Sequence, residues 1–500
     1  MNSLLFIPIA VLYFLVTGLL FLYGINFLYL IWLALKRGPR EGKHKRQLDP
    51  IPKVTVHLPI FNEMYVAERL VQAAAKLDYP RRLLEIQVLD DSTDETYEIV
   101  RKAVDRIRRS GTDIKHLHRK NRDGYKAGAL RDGFASAKGE FIAVFDADFL
   151  PPPSFLKDTL PELRDPKVAF VQTRWGHLNR DFSFLTLLQS LAIDAHFMVE
   201  QLGRQFGGYW FNFNGTAGIW RKAAIEDAGG WTADTLTEDL DLSYRAFLKG
   251  WKARYLSSVE TPAEVPITFN GFRRQQHRWA RGSLECAAKL LPEVWRSKHP
   301  LRAKIESTFH LTGYTVHLLL LAYCLLYPLV ILFSQNFPGL ISLFGAAYVF
   351  SFTFFAPTLL FIAGQHQLGR RWIHWLPLLL VVSAFGAGMM LNTFRAAMEI
   401  INRKPSEFRR TPKFGVESRG TAWTSKRYHL KLDTIVYWEL VFAALNIVTM
   451  VLGLQAGYWL ISFYAALFAF GFAFTSIYTI VQTIKIHRVQ NLRGLELPVQ

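Results

Sequence analysis

Acidic residues recur in this sequence where apolar runs stop. "VLDDSTDET" closes one run with Asp90 and Asp91, and "VFDADFLPP" closes another with Asp146 and Asp148, one residue apart. Carboxylates at the end of a buried segment are costly unless something positive lies beside them. Hard divalent cations take oxygen ligands and bridge phosphate oxygens, so Mg²⁺ or Mn²⁺ with a diphosphate is the chemistry these acids suit. A single cluster is equally well an N-cap for the next helix, and "DDSTDET" has the residues for one. Two clusters at equivalent places point to a ligand.

Further along, "TLTEDLDLSYRAFLKG" puts Glu238, Asp239 and Asp241 in the first turn of an amphipathic helix, where the helix dipole favours acids whatever their function. In "FRRQQHRWARG", Gln275, Arg278 and Trp279 stand at i, i+3 and i+4 and share a face if the segment is helical. Arginine suits phosphate and tryptophan suits the flat face of a sugar, although a basic interfacial helix before a membrane span has the same pattern. A DxD pair after a strand also serves as nucleophile and acid in phosphatases of the haloacid dehalogenase type. Here Phe149, Leu150 and three prolines stand where that chemistry expects a hydroxyl residue.

The elements that must position these groups are short β-rich runs, "KVTVHL" (53–58), "LEIQVL" (84–89), "IKHLHR" (114–119) and "EFIAVF" (140–145), separated by helical stretches such as 125–137. That alternation over residues 50–299 predicts a mostly parallel α/β sheet whose ligands bind beyond the carboxyl ends of the strands.

Flanking regions are of another kind. The 500 residues are 50% hydrophobic, 14% aromatic and 20% charged. Leu4 to Leu35 carries no charge, longer than the roughly 20 residues a membrane-spanning helix needs. It is read as a retained anchor (1–36), followed at once by Lys36, Arg37, Arg40, Lys43, Lys45 and Arg46. The positive-inside rule then puts the N-terminus outside and the α/β domain in the cytoplasm. Four more spans are expected at about 308–333, 339–364, 434–454 and 458–484 within a membrane region 300–484. Residues near 373–400 are read as interfacial or re-entrant, so that the basic loop 403–432 and the tail 485–500 stay inside. The formal charge of +18 gathers beside these spans rather than across a soluble face, which argues against nucleic acid as a partner. Two cysteines make no disulfide framework. A transporter with a nucleotide-binding domain is disfavoured by the lack of a Walker-type loop and of charges near the span midplanes.

Taken in order, "DDSTD", "DAD", "TED" and "QQHRW" resemble the signature of processive inverting glycosyltransferases of family 2, the cellulose synthase superfamily. "LPIFNE", "VLDDSTDET", "NRDGYKAGAL", "FNGTAGIWR", "EDAGGW" and "FRRQQHRW" look most like its cellulose-synthase-like A group, the glucomannan 4-β-mannosyltransferases, and the related C group of glucan synthases. The resemblance implies a GT-A domain inserted between transmembrane helices. It implies a donor site of Glu63, Asp90, Asp91, Lys126, Asp146, Asp148 and Arg278, with Asp146 and Asp148 holding Mg²⁺ or Mn²⁺. Asp239 would be the general base, and Glu238, Gln275 and Trp279 would meet the acceptor. The stretch "RKPSEFRRTPKFG" resembles a gating loop, with Phe408 and Thr411 facing the donor, but "FRRT" has Arg410 where the pattern has an apolar residue before the threonine.

The expected activity is transfer of a hexose from GDP-mannose or UDP-glucose to a growing β-1,4-linked mannan, glucomannan or glucan, extruded through the spans. The alternative is a single transfer to a glycolipid acceptor. The short tail and the lack of an envelope domain point to a bacterial inner membrane, and a Golgi membrane gives the same pattern.

Overall fold

The computed structural model describes residues 2–37, 49–334, 353, 355–405 and 407–493. Seven strands form one sheet in the order β3-β2-β1-β4-β6-β5-β7. The first four are the runs read from the sequence: β1 (Val54–Ile60), β2 (Leu84–Asp90), β3 (Asp113–His118) and β4 (Phe141–Val144). They pair in parallel, with β1 between β2 and β4. β1 and β2 alternate, with Val54, Val56, Leu58, Leu84, Ile86 and Val88 on one face and the buried polar residues Thr55, His57, Glu85 and Gln87 on the other, where the Thr55 hydroxyl donates to Glu85 at 2.7 Å. Val56, Leu58, Ile86 and Val88 pack with Leu70, Val100 and Val104 in one core. Ile142, Val144 and Leu130 join Phe170, Trp220 and Phe247 in the other.

The sheet is mostly parallel, as expected, and one strand departs from that direction. β6 (Gly218–Arg221) runs antiparallel to both β4 and β5 (Val168–His177), and β7 (Lys252–Ala263) is parallel to β5. The sheet is therefore mixed, the GT-A-like arrangement. Four residues, Gly-Ile-Trp-Arg, are too short a run to carry a periodicity of their own, so β6 has no signature in the sequence. The register pairs Ile60 with Asp90 and His57 with Val144, so the segments bearing Glu63, Asp91 and Asp146 leave the sheet at one edge.

Among the described residues, five helices are long and apolar enough to cross a membrane: Ile7–Arg37, Thr315–Phe333, Leu376–Ile401, Ile435–Gln455 and Trp459–Leu492. Leu376–Ile401, read from sequence as interfacial or re-entrant, divides into an apolar helix (Leu376–Ala387) and an amphipathic one (Met390–Ile401). The second carries Arg395, paired with Asp433 at 2.8 Å, and Glu399, paired with Arg281 at 3.2 Å. The expected span 339–364 lies outside the described residues as far as 352 and at 354, and its later part belongs to the helix Ala356–Gln367. Arg40, Lys43, Lys45, Arg46 and residues 494–500 of the tail also lie outside them.

One buried ion pair joins the α/β domain to the spans. Helix Phe269–Arg296, capped by the Thr268 hydroxyl accepting from Gly271 N at 3.2 Å, carries Arg273 in its first turns. Arg273 Nη2 donates to both oxygens of Glu439, in helix Ile435–Gln455, at 2.9 Å each. Glu439 also accepts from Ser476 at 2.9 Å and Thr475 at 3.2 Å, and both charged groups are buried. Glu439 is a charge within a span that the sequence reading did not count, one turn from its end. Removing one member leaves the other uncompensated, at a cost of about 3–5 kcal/mol. Arg273→Ala is therefore expected to lower the unfolding midpoint of the detergent-solubilised protein sharply. The double variant Arg273→Ala, Glu439→Leu should regain part of the loss.

Candidate active site

The sheet edge described above opens into a cavity, and 12 of the 13 residues singled out from sequence line it: Glu63, Asp91, Lys126, Asp146, Asp148, Glu238, Asp239, Gln275, Arg278, Trp279, Phe408 and Thr411. The exception is Asp90. It is wholly buried beneath the cavity, accepting from Ser92 N at 2.9 Å and bonded to His116 Nε2 at 2.8 Å. These bonds hold its carboxyl below the usual range even though burial pushes the other way. Its place is to hold the turn after β2. Asp91 faces the cavity and takes a two-pronged bond from Arg119, at 2.7 and 2.6 Å.

The acids that end β4 each have a lysine. Lys126 Nζ stands 2.7 Å from Asp146 Oδ1 and 3.5 Å from Glu238 Oε1, and it donates to Gly215 O at 2.9 Å. Burial alone would lower the ammonium's pKa, but Asp146, Glu238 and Asp239 around it raise it instead, so it stays charged. Lys413 Nζ stands 2.7 Å from Asp148 Oδ2 and donates to the Glu264 carbonyl. Two carboxylates in one cleft thus sit in a field that already requires cations on both. Among the described residues no group of three His, Cys, Asp or Glu side chains is placed to hold a metal ion. An ion there would take one or two carboxylates from the protein and the rest of its oxygen ligands from phosphate and water, as Mg²⁺ commonly does. The donor set of Asp146 and Asp148 fits such an ion.

Asp239 lies in the first turn of helix Glu238–Leu248. It faces Gly215, whose φ of +76° is a left-handed conformation few side chains adopt. A β-carbon at 215 would come within 3.1 Å of Asp239 Oδ2 and 3.2 Å of Lys126 Nζ, so glycine lets the two approach the "FNGTAG" turn. Burial, reinforced by the neighbouring Glu238 carboxylate, pushes the Asp239 carboxyl up to about 7. Glu63, deeply buried beside Asp148 and Glu264, is pushed up to about 8. Asp146 is also raised, by burial that Lys126 only partly offsets.

Opposite the sheet, Gln275, Arg278 and Trp279 project from one face of helix Phe269–Arg296, as their spacing predicts. The Trp279 ring lies 6.4 Å from that of Trp175 at the end of β5, and the Arg278 guanidinium lies 4.5 Å from the Phe408 ring. The loop carrying Phe408 is docked onto the domain. Glu264, at the end of β7, accepts from Phe414 N at 2.8 Å, Val416 N at 3.1 Å and Arg69 Nη2 at 3.3 Å. Sequence reasoning marked Arg410 only as a departure from the loop pattern and did not single out Lys413, Glu264, Arg122, Gly215 or Trp175. Gly215 and Arg122 stand inside motifs that carried the resemblance, and Lys413 and Arg410 inside the loop. Glu264 has no motif, because its value comes from where β7 ends.

Residues 52–282 match the family model described as glycosyltransferase like family 2. The chain is 40% identical over 294 residues to glucomannan 4-beta-mannosyltransferase 7 of Arabidopsis thaliana, covering 57% of this chain and 53% of that one. It is also 40% identical over 314 residues to glucomannan 4-beta-mannosyltransferase 1 of Oryza sativa subsp. japonica, covering 58% and 60%. The match thus spans little more than half the length of these relatives. Among solved structures, mannosyltransferase PcManGT from Pyrobaculum calidifontis in complex with GDP-Man and Mn²⁺ superposes with a TM-score of 0.49 at 20% identity, covering 81% of this chain and all of that one. Residues 52–282 are thus similar to family 2 glycosyltransferases, and their mixed sheet is GT-A-like. The similarity of this region is to proteins named glucomannan 4-beta-mannosyltransferases.

A raised carboxyl pKa means that ionising Asp239 in the folded state is unfavourable. The stability present while the group is protonated, below its unfolded value near 4, is lost as pH rises towards 7. Asp239→Asn should therefore unfold at a higher temperature than the wild type at pH 8. The two should converge at pH 4, as read by thermal unfolding in detergent.

Proposed function

We propose that the protein is a membrane-embedded inverting hexosyltransferase that extends a β-1,4-linked polysaccharide, using GDP-mannose as donor. The observation that carries this reading is the pairing, in one cleft, of a carboxylate poised near neutrality with two lysine-compensated carboxylates 91 and 93 residues before it in the chain. The relatives' names support mannose over glucose, with UDP-glucose as the competing donor.

The chemistry follows from the residues. The acceptor sugar stacks on Trp279 with its hydroxyl towards Asp239, which accepts that proton as the oxygen attacks the anomeric carbon. The bond from that carbon to the diphosphate breaks on the opposite face, so an α-linked donor yields a β-linked product. One displacement needs no covalent nucleophile. Lys126, Lys413 and Arg278 face the cleft and compensate the negative charge released on the leaving group. When bound, Mg²⁺ or Mn²⁺ held by Asp146 and Asp148 neutralises the diphosphate further. Asp91 and Arg122 lie towards the nucleoside end, and Glu238 and Gln275 orient the acceptor.

The domain between residues 50 and 299 is assigned to the cytoplasm, where nucleotide sugars are made, with the helices after 300 forming a path for the product. Helix Met390–Ile401 lies along the interface in this arrangement, which its charged face supports.

The test is transfer from labelled GDP-mannose and, separately, UDP-glucose by the full chain in nanodiscs with Mg²⁺ or Mn²⁺. Long product from GDP-mannose that a β-1,4-mannanase degrades is expected. A single-sugar lipid product would overturn the polymerase reading. Asp239→Asn should reduce turnover about 10²- to 10⁴-fold. Because the base works ionised, wild-type kcat/KM should rise with pH through an acidic limb near 7.

A further inference from the structure

The loop at the cleft contributes a buried arginine whose two terminal nitrogens make no hydrogen bond among the described residues. Arg410 is only 7% exposed and lines the cavity, yet neither its Nη1 nor its Nη2 has a hydrogen-bond partner among the described residues. Its guanidinium is fixed rather than loose, lying 4.0 Å from the centre of the Tyr428 ring. Tyr428 is itself anchored by its hydroxyl on Asp94 in the turn after β2. Beside it, Arg122 stacks 3.3 Å over the Phe61 ring with Nε unpartnered, and Thr411 Oγ1 and Glu63 Oε2 are buried and unpartnered at the same cavity wall.

A buried guanidinium with open donors costs more than an apolar side chain would, so its presence asks for a ligand that completes it. The ligand must bring acceptor oxygens, because guanidinium has donors only. Two such donors in a fixed plane match a phosphate, which arginine engages through paired N–H···O bonds. The acid nearest in effect is Glu63, whose carboxyl burial pushes up and Arg410 pulls down, but no hydrogen bond joins the two, and the other carboxylates have partners of their own. Asp148 has Lys413, Asp91 has Arg119, and Glu264 has Arg69 and two backbone amides.

We propose that Arg410 is a phosphate ligand that this chain adds to the donor site, binding the diphosphate of the sugar nucleotide from the loop side, opposite Lys126. The sequence pattern this loop resembles has an apolar residue at that position, so the contact is an addition to that pattern. It makes the docked loop a reader of the leaving group's charge. A nucleotide with its diphosphate seats Arg410, and a nucleoside without phosphate leaves the guanidinium unpaired. The inference rests on the proposed use of a nucleoside-diphosphate sugar.

The experiment is nucleotide binding to the full chain in nanodiscs, with Mg²⁺ and with EDTA in parallel. GDP and UDP are titrated calorimetrically, and guanosine and uridine are followed by ligand-observed NMR. Arg410→Val is expected to weaken binding of the preferred diphosphate about 10- to 100-fold in both conditions while leaving that of the matching nucleoside unchanged. Arg410→Lys should recover part of the loss. Equal weakening of diphosphate and nucleoside by Arg410→Val and Arg410→Lys alike would make the residue structural and overturn the proposal. Wild-type affinity for diphosphate in Arg410→Val overturns it alone. Failure of the wild type to bind either nucleotide overturns it together with the donor reading on which it rests.

Discussion

Negative charge concentrated at one edge of a buried sheet is the constraint the rest of this structure answers. Parallel strands deliver their last residues to the same side, so Asp91, Asp146, Asp148 and Glu63 converge as soon as β1, β2 and β4 are in register. Carboxylates so close cannot all stay ionised without cations among them. Lys126 and Lys413 meet part of that demand, and Glu63 and Asp239 are driven towards neutrality instead. A cleft balanced in this way keeps one carboxylate close to the pH at which it can take a proton.

The compensating groups come from distant parts of the chain, which ties the membrane region to the site. Lys413 and Phe408 reach the cleft on a loop that follows a membrane-region helix, and Glu264 fixes that loop through two backbone amides. Gln275, Arg278 and Trp279 reach it on a helix clamped to a span by Arg273 and Glu439. A shift of the spans would move the wall bearing Gln275, Arg278 and Trp279 against the wall bearing Asp146 and Asp148. The same helix thus carries one wall of the cleft and the clamp to the membrane region.

The four strands β1 to β4 and the helices after them were legible because β-rich runs of strand length are separated by helical stretches. Their acids were legible because a carboxylate closing an apolar run is expensive without a purpose. Spacing was enough to put Gln275, Arg278 and Trp279 on one face. The sequence offered no comparable signal for β6, whose four residues are held by two antiparallel neighbours, and none for Glu264. Asp90 and Asp91 are adjacent and chemically identical, yet one points under the turn to Ser92 and His116 while the other faces the cavity. No local pattern separates them.

What the sequence by itself determined is the chemical inventory and its order: acids at strand ends, an acid-led helix, a Gln-x-x-Arg-Trp face, and long apolar helices around an α/β domain. These follow from periodicity and from the cost of burying charge, which act along the chain. Only the tertiary structure decided which charges meet. Lys126 with Asp146, Lys413 with Asp148, and Arg273 with Glu439 are separated by 20, 265 and 166 residues. The open guanidinium of Arg410 is likewise visible only in three dimensions. A residue's pKa and the burial of its partner depend on everything packed around it, and that surrounding is assembled from segments whose proximity no local pattern encodes.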